Sequence, residues 1–302
     1  MKLSTFLKFA MFGISTILLR RRRPILGTII LTDRCNLKCR HCAVNNLTCV
    51  DHPYEVILRE MRQLFDSGIR ILFFCGGETF LWRDGETNRG IRDLVVEAKR
   101  MGFDFVNIVT NGTFELDVPE ADLILLSLDG DRIHHNEIRG DTYDTILTHI
   151  RRATASNLCL YMAINRINQC DLEHVGELAA SEPNVRAVSF NFHTPYPGTE
   201  TLTLSTTEKQ NCCDRIGRMM ERKIPVFNLK RVFPYLVHRT FPTPCHQCVV
   251  LESGHQSLCG RCVDIPGLCE QCGYFFAAEY SLIFHGNIPV ILEMLRTYLK
   301  YI

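Results

Sequence analysis

The sequence predicts an α/β fold in which a parallel sheet, open or barrel-like, is followed by a small cysteine-rich C-terminal extension. Three observations carry this expectation. Up to residue 222, short apolar runs rich in Ile, Leu and Val recur, the pattern of strands buried on both faces. Amphipathic stretches alternate with them, which winds such a sheet in one sense. Six of the 15 cysteines then crowd into residues 245–272.

The run "PILGTIILT" (24–32) is the first strand, and a loop with three cysteines follows it. A helix is expected over 54–66, where Ile57, Met61, Leu64 and Phe65 share one face and Ser67-Gly68 stops it. "IRILFF" (69–74) is the second strand, "CGGETFLW" its exit, and 90–101 the next helix. "FDFVNIVTNG" (103–112) and "ADLILLSLDG" (121–130) are strands three and four, joined by a connection too short for a helix. A helix at "TYDTILTHIRRA", a strand at 158–165, a helix at 171–180, a strand at 186–192 and a helix at 206–222 complete six β/α steps. A full barrel of this kind needs eight. Residues 225–244 carry four prolines and read as a linker, and 288–301 read as a final amphipathic helix. Three units are therefore expected: an N-terminal segment 1–23, a core 24–225, and a linker, cysteine-rich module and helix over 226–302.

Composition narrows the function. A formal charge of +1 gives no basic stripe, so a nucleic-acid partner is not expected. Clustered CxxC pairs in a chain of 302 residues point to metal rather than to disulfides, and so to a reducing, cytoplasmic setting. The N-terminal "LSTFLKFAMFGISTILL" is short for a membrane span and ends in Arg20, Arg21, Arg22 and Arg23 instead of a cleavage site. An in-plane helix at the inner face of a membrane fits it, with the arginines at anionic headgroups. The plainer alternative is a helix packed on one flank of the domain.

The densest chemistry lies in "LTDRCNLKCRHCAVNN" (31–46), where Cys35, Cys39 and Cys42 form CxxxCxxC. Three thiolates leave one coordination position open, the mark of a catalytic metal site, and they suit a [4Fe–4S] cluster with one iron lacking a cysteine. Interleaved Arg34, Lys38 and Arg40 would soften the negative charge. A zinc site completed by His41 or by a distant cysteine is the alternative.

With these residues the chain resembles the radical S-adenosylmethionine (SAM) superfamily over roughly residues 25–225, with the motifs in matching order and strand context. The resemblance implies a partial (β/α)6 TIM-like barrel, a [4Fe–4S] cluster at Cys35, Cys39 and Cys42, and SAM on the open iron. It implies that Gly76 and Gly77 let the backbone approach the methionine part of SAM and that Glu78 helps hold its ammonium. Thr110 and Asn111 after strand three, and Ser127 and Asp129 after strand four, match positions that face SAM. Arg139 is the candidate contact to the SAM carboxylate, Asn165 to the ribose or carboxylate, and His41 to the adenine. The implied chemistry is reductive cleavage of SAM to a 5′-deoxyadenosyl radical, fed by a flavodoxin- or ferredoxin-like low-potential donor under anaerobic conditions.

Cys245, Cys248, Cys259, Cys262, Cys269 and Cys272 form three further CxxC pairs. Their block is similar to the SPASM/twitch modules, with Gly254 and Cys259 reproducing a glycine-four-cysteine element. It departs in a six-residue gap, a closing CxxC, and no cysteine beyond Cys272. One auxiliary [4Fe–4S] cluster is favoured over a structural zinc. Such modules often accompany modification of peptides or proteins, whereas the apolar, arginine-ended N-terminus is similar in layout to radical SAM enzymes acting on membrane lipids. The competing function is a non-catalytic binding or regulatory protein stapled by metal at both cysteine sets. Glu78 and Arg139 argue against it, because a structural site needs neither.

Overall fold

The structure, a computed structural model, describes residues 3–18, 23–42 and 46–301. Its centre is one eight-stranded sheet in the order β6-β5-β4-β3-β2-β1-β7-β8. Strands β1 (Leu26–Ile30), β2 (Ile71–Cys75), β3 (Phe105–Thr110), β4 (Leu123–Ser127), β5 (Leu158–Ile164) and β6 (Val185–Phe192) are the six expected, and consecutive ones pair in parallel. The sheet does not close on itself, so the barrel is partial. Ile29, Leu72, Val106, Ile124, Leu160 and Val188 are each 0 % exposed, as the apolar strand runs require.

Helices cover the strands. Helix α2 (Tyr54–Asp66) buries Ile57, Leu58, Met61 and Leu64, and Gly68, at φ +94°, takes the left-handed turn that ends it. Helix α3 (Ile91–Met101) buries Ile91, Leu94, Val95 and Ala98. No helix fits between β3 and β4. Leu116, Val118 and Ala121 of that connection, at 1–3 % exposure, cover the sheet instead. Helices α5 (Tyr143–Arg152), α6 (Leu172–Ser181) and α7 (Thr206–Glu221) follow expectation.

Five helices and strands were not foreseen. "RIHHNEIR" forms α4 (Arg132–Arg139), capped by Asp131, whose carboxylate accepts the His134 N–H at 2.9 Å. Residues 225–244, expected as a linker, are packed: Val226 bridges Val188 of β6, and α8 (Phe233–Val237) buries Phe233, Leu236 and Val237. Pro234 sits in the first turn of that helix, where a proline's missing N–H costs nothing. Within the cysteine block, β7 (Cys248–Glu252) lies parallel to β1 with Cys248 opposite Leu26, and β8 (His255–Leu258) folds back on it. Helix α9 (Phe275–Phe284) then precedes α10 (Ile288–Tyr301), the amphipathic helix read from the sequence.

The C-terminal region therefore touches both edges of the open sheet. At the β1 edge it adds the hairpin. At the β6 edge the Phe192 N–H donates to the Gly273 carbonyl (2.9 Å) and the Phe275 N–H to Asn191 Oδ1 (2.9 Å). A Cβ on Gly273 would stand 2.3 Å from the Phe192 carbonyl oxygen, so this approach requires glycine. At the other end of the chain, helix α1 (Leu3–Leu18) packs on α9 through Phe12 and Phe284. Of the N-terminal segment 1–23, residues 19–22, with Arg20, Arg21 and Arg22, lie outside the described residues.

Candidate active site

The cysteine loop leaves β1 and is folded by its own polar groups. Asp33 Oδ1 accepts the Val50 N–H (3.2 Å), its other oxygen accepts the Thr48 N–H, and Asn46 Oδ1 accepts the Cys35 N–H (3.0 Å). The exit of β2 docks against this loop. The Gly77 N–H donates to the Thr32 carbonyl (2.7 Å) and the Glu78 N–H to the Arg34 carbonyl (2.9 Å). A Cβ on Gly76 would meet Thr32 O at 2.3 Å, and one on Gly77 would meet Arg34 O at 2.3 Å. The glycines expected to admit a ligand thus also admit the backbone that carries the cysteines.

Above this contact lies a cleft of about 230 Å³ at the carboxyl ends of β1 to β4. Cys35, Cys39, His41, Cys42, Gly76, Gly77, Thr110, Asn111, Ser127 and Arg139, all singled out in the sequence, line it together. That placement is where ligands collect in parallel β/α folds. Val109, Tyr196 and Tyr274 line it too and were not foreseen. Tyr274 stands two residues after the last CxxC, so only the docking of that block at the β6 edge brings it here.

Glu78, Asp129 and Asn165 sit differently. Glu78 is 0 % exposed beneath the cleft, and its carboxylate accepts from the Thr110 hydroxyl (2.7 Å), the Asn111 N–H (2.7 Å) and the Phe80 N–H (3.0 Å). Burial raises its pKa against those three donors. In this arrangement Glu78 fixes the Thr110-Asn111 turn that lines the cleft. Asn165 is likewise 0 % exposed, with Oδ1 accepting the Ile167 N–H (2.9 Å) and Nδ2 donating to the Ala163 carbonyl (3.1 Å). Its amide closes the turn after β5 and is not among the groups lining the cleft.

Asp129 anchors the charge network. Its Oδ2 accepts from Arg139 Nε (2.6 Å) and its Oδ1 from the Ala163 N–H (2.8 Å). Burial works to raise its pKa, but Arg139 and His41 outweigh it and the carboxyl stays low. Arg139 in turn reaches Cys39 Sγ (3.8 Å) and His41 Nε2 (3.4 Å). The cation facing the thiols is therefore Arg139. Arg34 pairs with Asp51 (2.7 Å), Arg40 pairs with Glu137, and Lys38 is exposed. Helix α4 explains the placement: His135 and Arg139 lie one turn apart, and His135 Nδ1 accepts the Asp129 N–H (3.1 Å). Burial pushes His135 down to about 4, so it stays neutral.

The donor set fits an iron–sulfur group. Burial pushes Cys39 up to about 11 and raises Cys35, so these sulfurs need a cation to bind as thiolates. N–H groups already point at Cys35: the Leu37 amide at 3.4 Å and Asn111 Nδ2 at 3.7 Å. Such donors also surround cluster sulfurs. His41 Nδ1 is buried without a hydrogen-bond partner, and burial lowers its pKa to about 4. A neutral ring edge is therefore available to an aromatic or polar ligand. Away from the residues that line the cleft, His134 Nδ1, Cys170 Sγ and Asp171 Oδ2 lie within 4.8 Å of one another. Asp171 also accepts the Asp131 N–H (2.9 Å), tying the turn after β4 to the one after β5.

The C-terminal thiols are more enclosed. Cys245, Cys248, Cys262 and Cys272 are 1 %, 2 %, 6 % and 6 % exposed. The hydrogen bond between Cys245 and Cys248 shifts the pKa of Cys245 down and that of Cys248 up. Burial raises Cys259, Cys262 and Cys269, and pushes Cys272 up to about 11. Six thiols in one region, four of them buried, are compatible with an auxiliary cluster.

Comparison with known proteins agrees with this geometry. The chain is 26 % identical over 183 residues to the sporulation killing factor maturation protein SkfB of Bacillus subtilis, covering 55 % of this chain and 42 % of SkfB. It is 27 % identical over 183 residues to the Fe-coproporphyrin III synthase of Methanosarcina barkeri, covering 56 % of this chain and 43 % of the synthase. It thus spans less than half the length of either relative. In fold it is similar to Streptococcus suis SuiB, solved with S-adenosylmethionine and with its precursor peptide SuiA. For the peptide complex the TM-score is 0.65 at 14 % identity, covering 95 % of this chain and 72 % of SuiB. Residues 29–179, half of the sequence and the part that supplies all of the cleft's lining but Tyr196 and Tyr274, match the Radical SAM superfamily, and the chain belongs to that superfamily.

Proposed function

We propose that this chain cleaves SAM reductively and directs the resulting radical at a peptide substrate. The observation that carries the reading is the convergence of Cys35, Cys39, Cys42, Gly76, Gly77, Asn111, Ser127 and Arg139 on one cleft. Cys35, Cys39 and Cys42 would hold a [4Fe–4S] cluster, which when bound supplies the electron that splits SAM into methionine and a 5′-deoxyadenosyl radical. The chain's own residues orient and shield. Thr110 and Asn111, fixed by Glu78, shape one wall, and Arg139, held by Asp129, places a permanent positive charge beside Cys39. Arg139 suits a carboxylate, its charge kept by Asp129 despite burial. Tyr196 and Tyr274 close the side nearest the C-terminal block and limit water.

A peptide substrate is supported by the named role of SkfB and by the bound peptide of SuiB. The C-terminal cysteines would hold one auxiliary cluster, and a flavodoxin- or ferredoxin-like protein would deliver electrons. An anaerobic, reducing cytoplasm suits these thiols, and residues 1–23 would rest on the membrane surface. Among the described residues no single helix is long and apolar enough to cross a membrane. The test is anaerobic reconstitution with iron and sulfide followed by dithionite and SAM. The expected outcome is 5′-deoxyadenosine and methionine. A colourless protein holding only zinc and leaving SAM intact would sink the proposal and favour a metal-stapled binding protein.

A further inference from the structure

Helices α1 and α10 both pack on α9, and each carries an exposed apolar stripe. On α1, Phe12 packs edge-on against Phe284 of α9, with ring centroids 5.9 Å apart. Met11, Ile14 and Leu18 are turned away from that contact and are 70 %, 58 % and 74 % exposed. Their spacing of three and four sets them in one stripe. Helix α10 repeats the pattern: Val290 is buried, while Ile288 and Leu292 are 63 % and 51 % exposed. The two helices approach each other at the turn before α10, where a Cβ on Gly286 would lie 3.4 Å from Ile17. These five side chains are half of the large exposed hydrophobics among the described residues, and such concentration marks a binding surface.

Charge decides what the surface meets. Beside α10 a cleft of about 690 Å³ is lined by Lys230, Arg231, Arg296 and Tyr235 together with Val290 and Leu292. Glu293, the acid in that cleft, accepts the backbone N–H groups of Lys230 (2.9 Å) and Arg231 (2.8 Å). Lys230 pairs with Glu221 (2.7 Å), and among the described residues no carboxylate pairs with Arg231 or Arg296. Arg23 is exposed, and the sequence places Arg20–Arg23 directly after α1. An apolar stripe bordered by free guanidinium groups is the composition of an interfacial helix on anionic lipid.

We propose that α1 and α10 dock together on an anionic membrane surface, with Met11, Ile14, Leu18, Ile288 and Leu292 entering the acyl boundary and Arg231 and Arg296 meeting headgroup phosphates. This rests on the membrane-surface reading of residues 1–23 and extends it to a second helix and a cation cleft far along the chain. The test is co-sedimentation of the full chain with vesicles of phosphatidylcholine, with and without phosphatidylglycerol, at low and high salt. Wild type is expected to pellet with the anionic vesicles and to be released by salt. Ile288→Glu/Leu292→Glu should lower binding at least about tenfold, and Arg231→Gln and Arg296→Gln about fivefold each. SAM cleavage in each variant reports that the fold is intact, since these residues lie outside the cleft. If deletion of 1–23 abolishes pelleting while the α10 and arginine variants pellet like wild type, the proposal fails and the reading of 1–23 stands. Equal pelleting with neutral vesicles overturns it. So does a wild-type dimer that Ile288→Glu/Leu292→Glu splits without changing pelleting, which would make the face a contact between copies.

Discussion

Cys35, Cys39 and Cys42 are partly exposed on a loop at the mouth of the sheet, whereas Cys245, Cys248, Cys262 and Cys272 are buried in a hairpin and the segments flanking it. The first set has a guanidinium at Cys39 and amide donors at Cys35. The second set mainly faces itself, with Arg239 the cation that acts on Cys269 and Cys272. The same ligand chemistry thus occurs in two settings. An open, charge-compensated loop leaves room for a further ligand, while a closed set of thiols holds a group in place. Both depend on glycines that allow backbone to touch backbone, Gly77 against Arg34 and Gly273 against Phe192.

The largest expected effect tests the open set. Cys39→Ala should abolish SAM cleavage, a loss of at least about a thousandfold in 5′-deoxyadenosine formed, while the C-terminal metal content stays intact by iron analysis. Cys259→Ser should do the reverse, removing the auxiliary metal and substrate modification while SAM cleavage stays within a few-fold. If both variants lose SAM cleavage equally, the two sets do not differ as described. Arg139→Gln leaves Asp129 charged and buried without its partner. It should destabilise the fold by about 3–5 kcal/mol in denaturant titration, and adding Asp129→Asn should recover part of that without restoring SAM binding.

Gly77→Ala and Gly273→Ala probe the two backbone contacts. Each should cost about 1–3 kcal/mol, since the clash is with a carbonyl oxygen that cannot rotate away. Gly77→Ala should also weaken cluster loading at Cys35, Cys39 and Cys42, seen as absorbance near the sulfur-to-iron bands. Gly273→Ala should spare that loading. The smallest effect concerns Glu279 of α9, whose carboxyl accepts the Leu229 N–H at 2.9 Å. Burial pushes it up to about 7, above its ordinary value of 4.5. The native state therefore binds the extra proton, and this contribution is fully present below about pH 4.5 and lost as pH rises through about 7. Glu279→Gln should raise the melting temperature at pH 8 by a few degrees and change it little at pH 4.5.

Much of the site was legible because its signals are local. CxxxCxxC, Gly76-Gly77-Glu78, Thr110-Asn111 and Ser127 each fall at the end of a continuous apolar strand, so the parallel order of those strands gathers them at one end of the sheet. Helix α4 was missed because its buried face is polar: His135 and Arg139 point inward with Ile138, and hydrophobic periodicity cannot register them. The strand β7 is five residues inside a cysteine block, and its partner β1 lies near the other end of the chain. Nothing local distinguishes such a strand from a metal-binding loop. Glu78 and Asn165 were found by motif, and the structure adds what the sequence did not carry, the hydrogen bonds that tie them to the Thr110-Asn111 turn and to the Ile167 turn.

By itself the sequence determined the wound α/β order, the three-thiol loop and the second store of cysteines, because strand burial, helix stops and ligand spacing are all written in neighbouring residues. Only the tertiary structure decided which cation serves Cys39, which tyrosines wall the cleft, and how the C-terminal block bridges both edges of the sheet. Those outcomes depend on contacts between segments far apart in the chain, where burial and hydrogen bonding choose among partners that the sequence leaves equivalent.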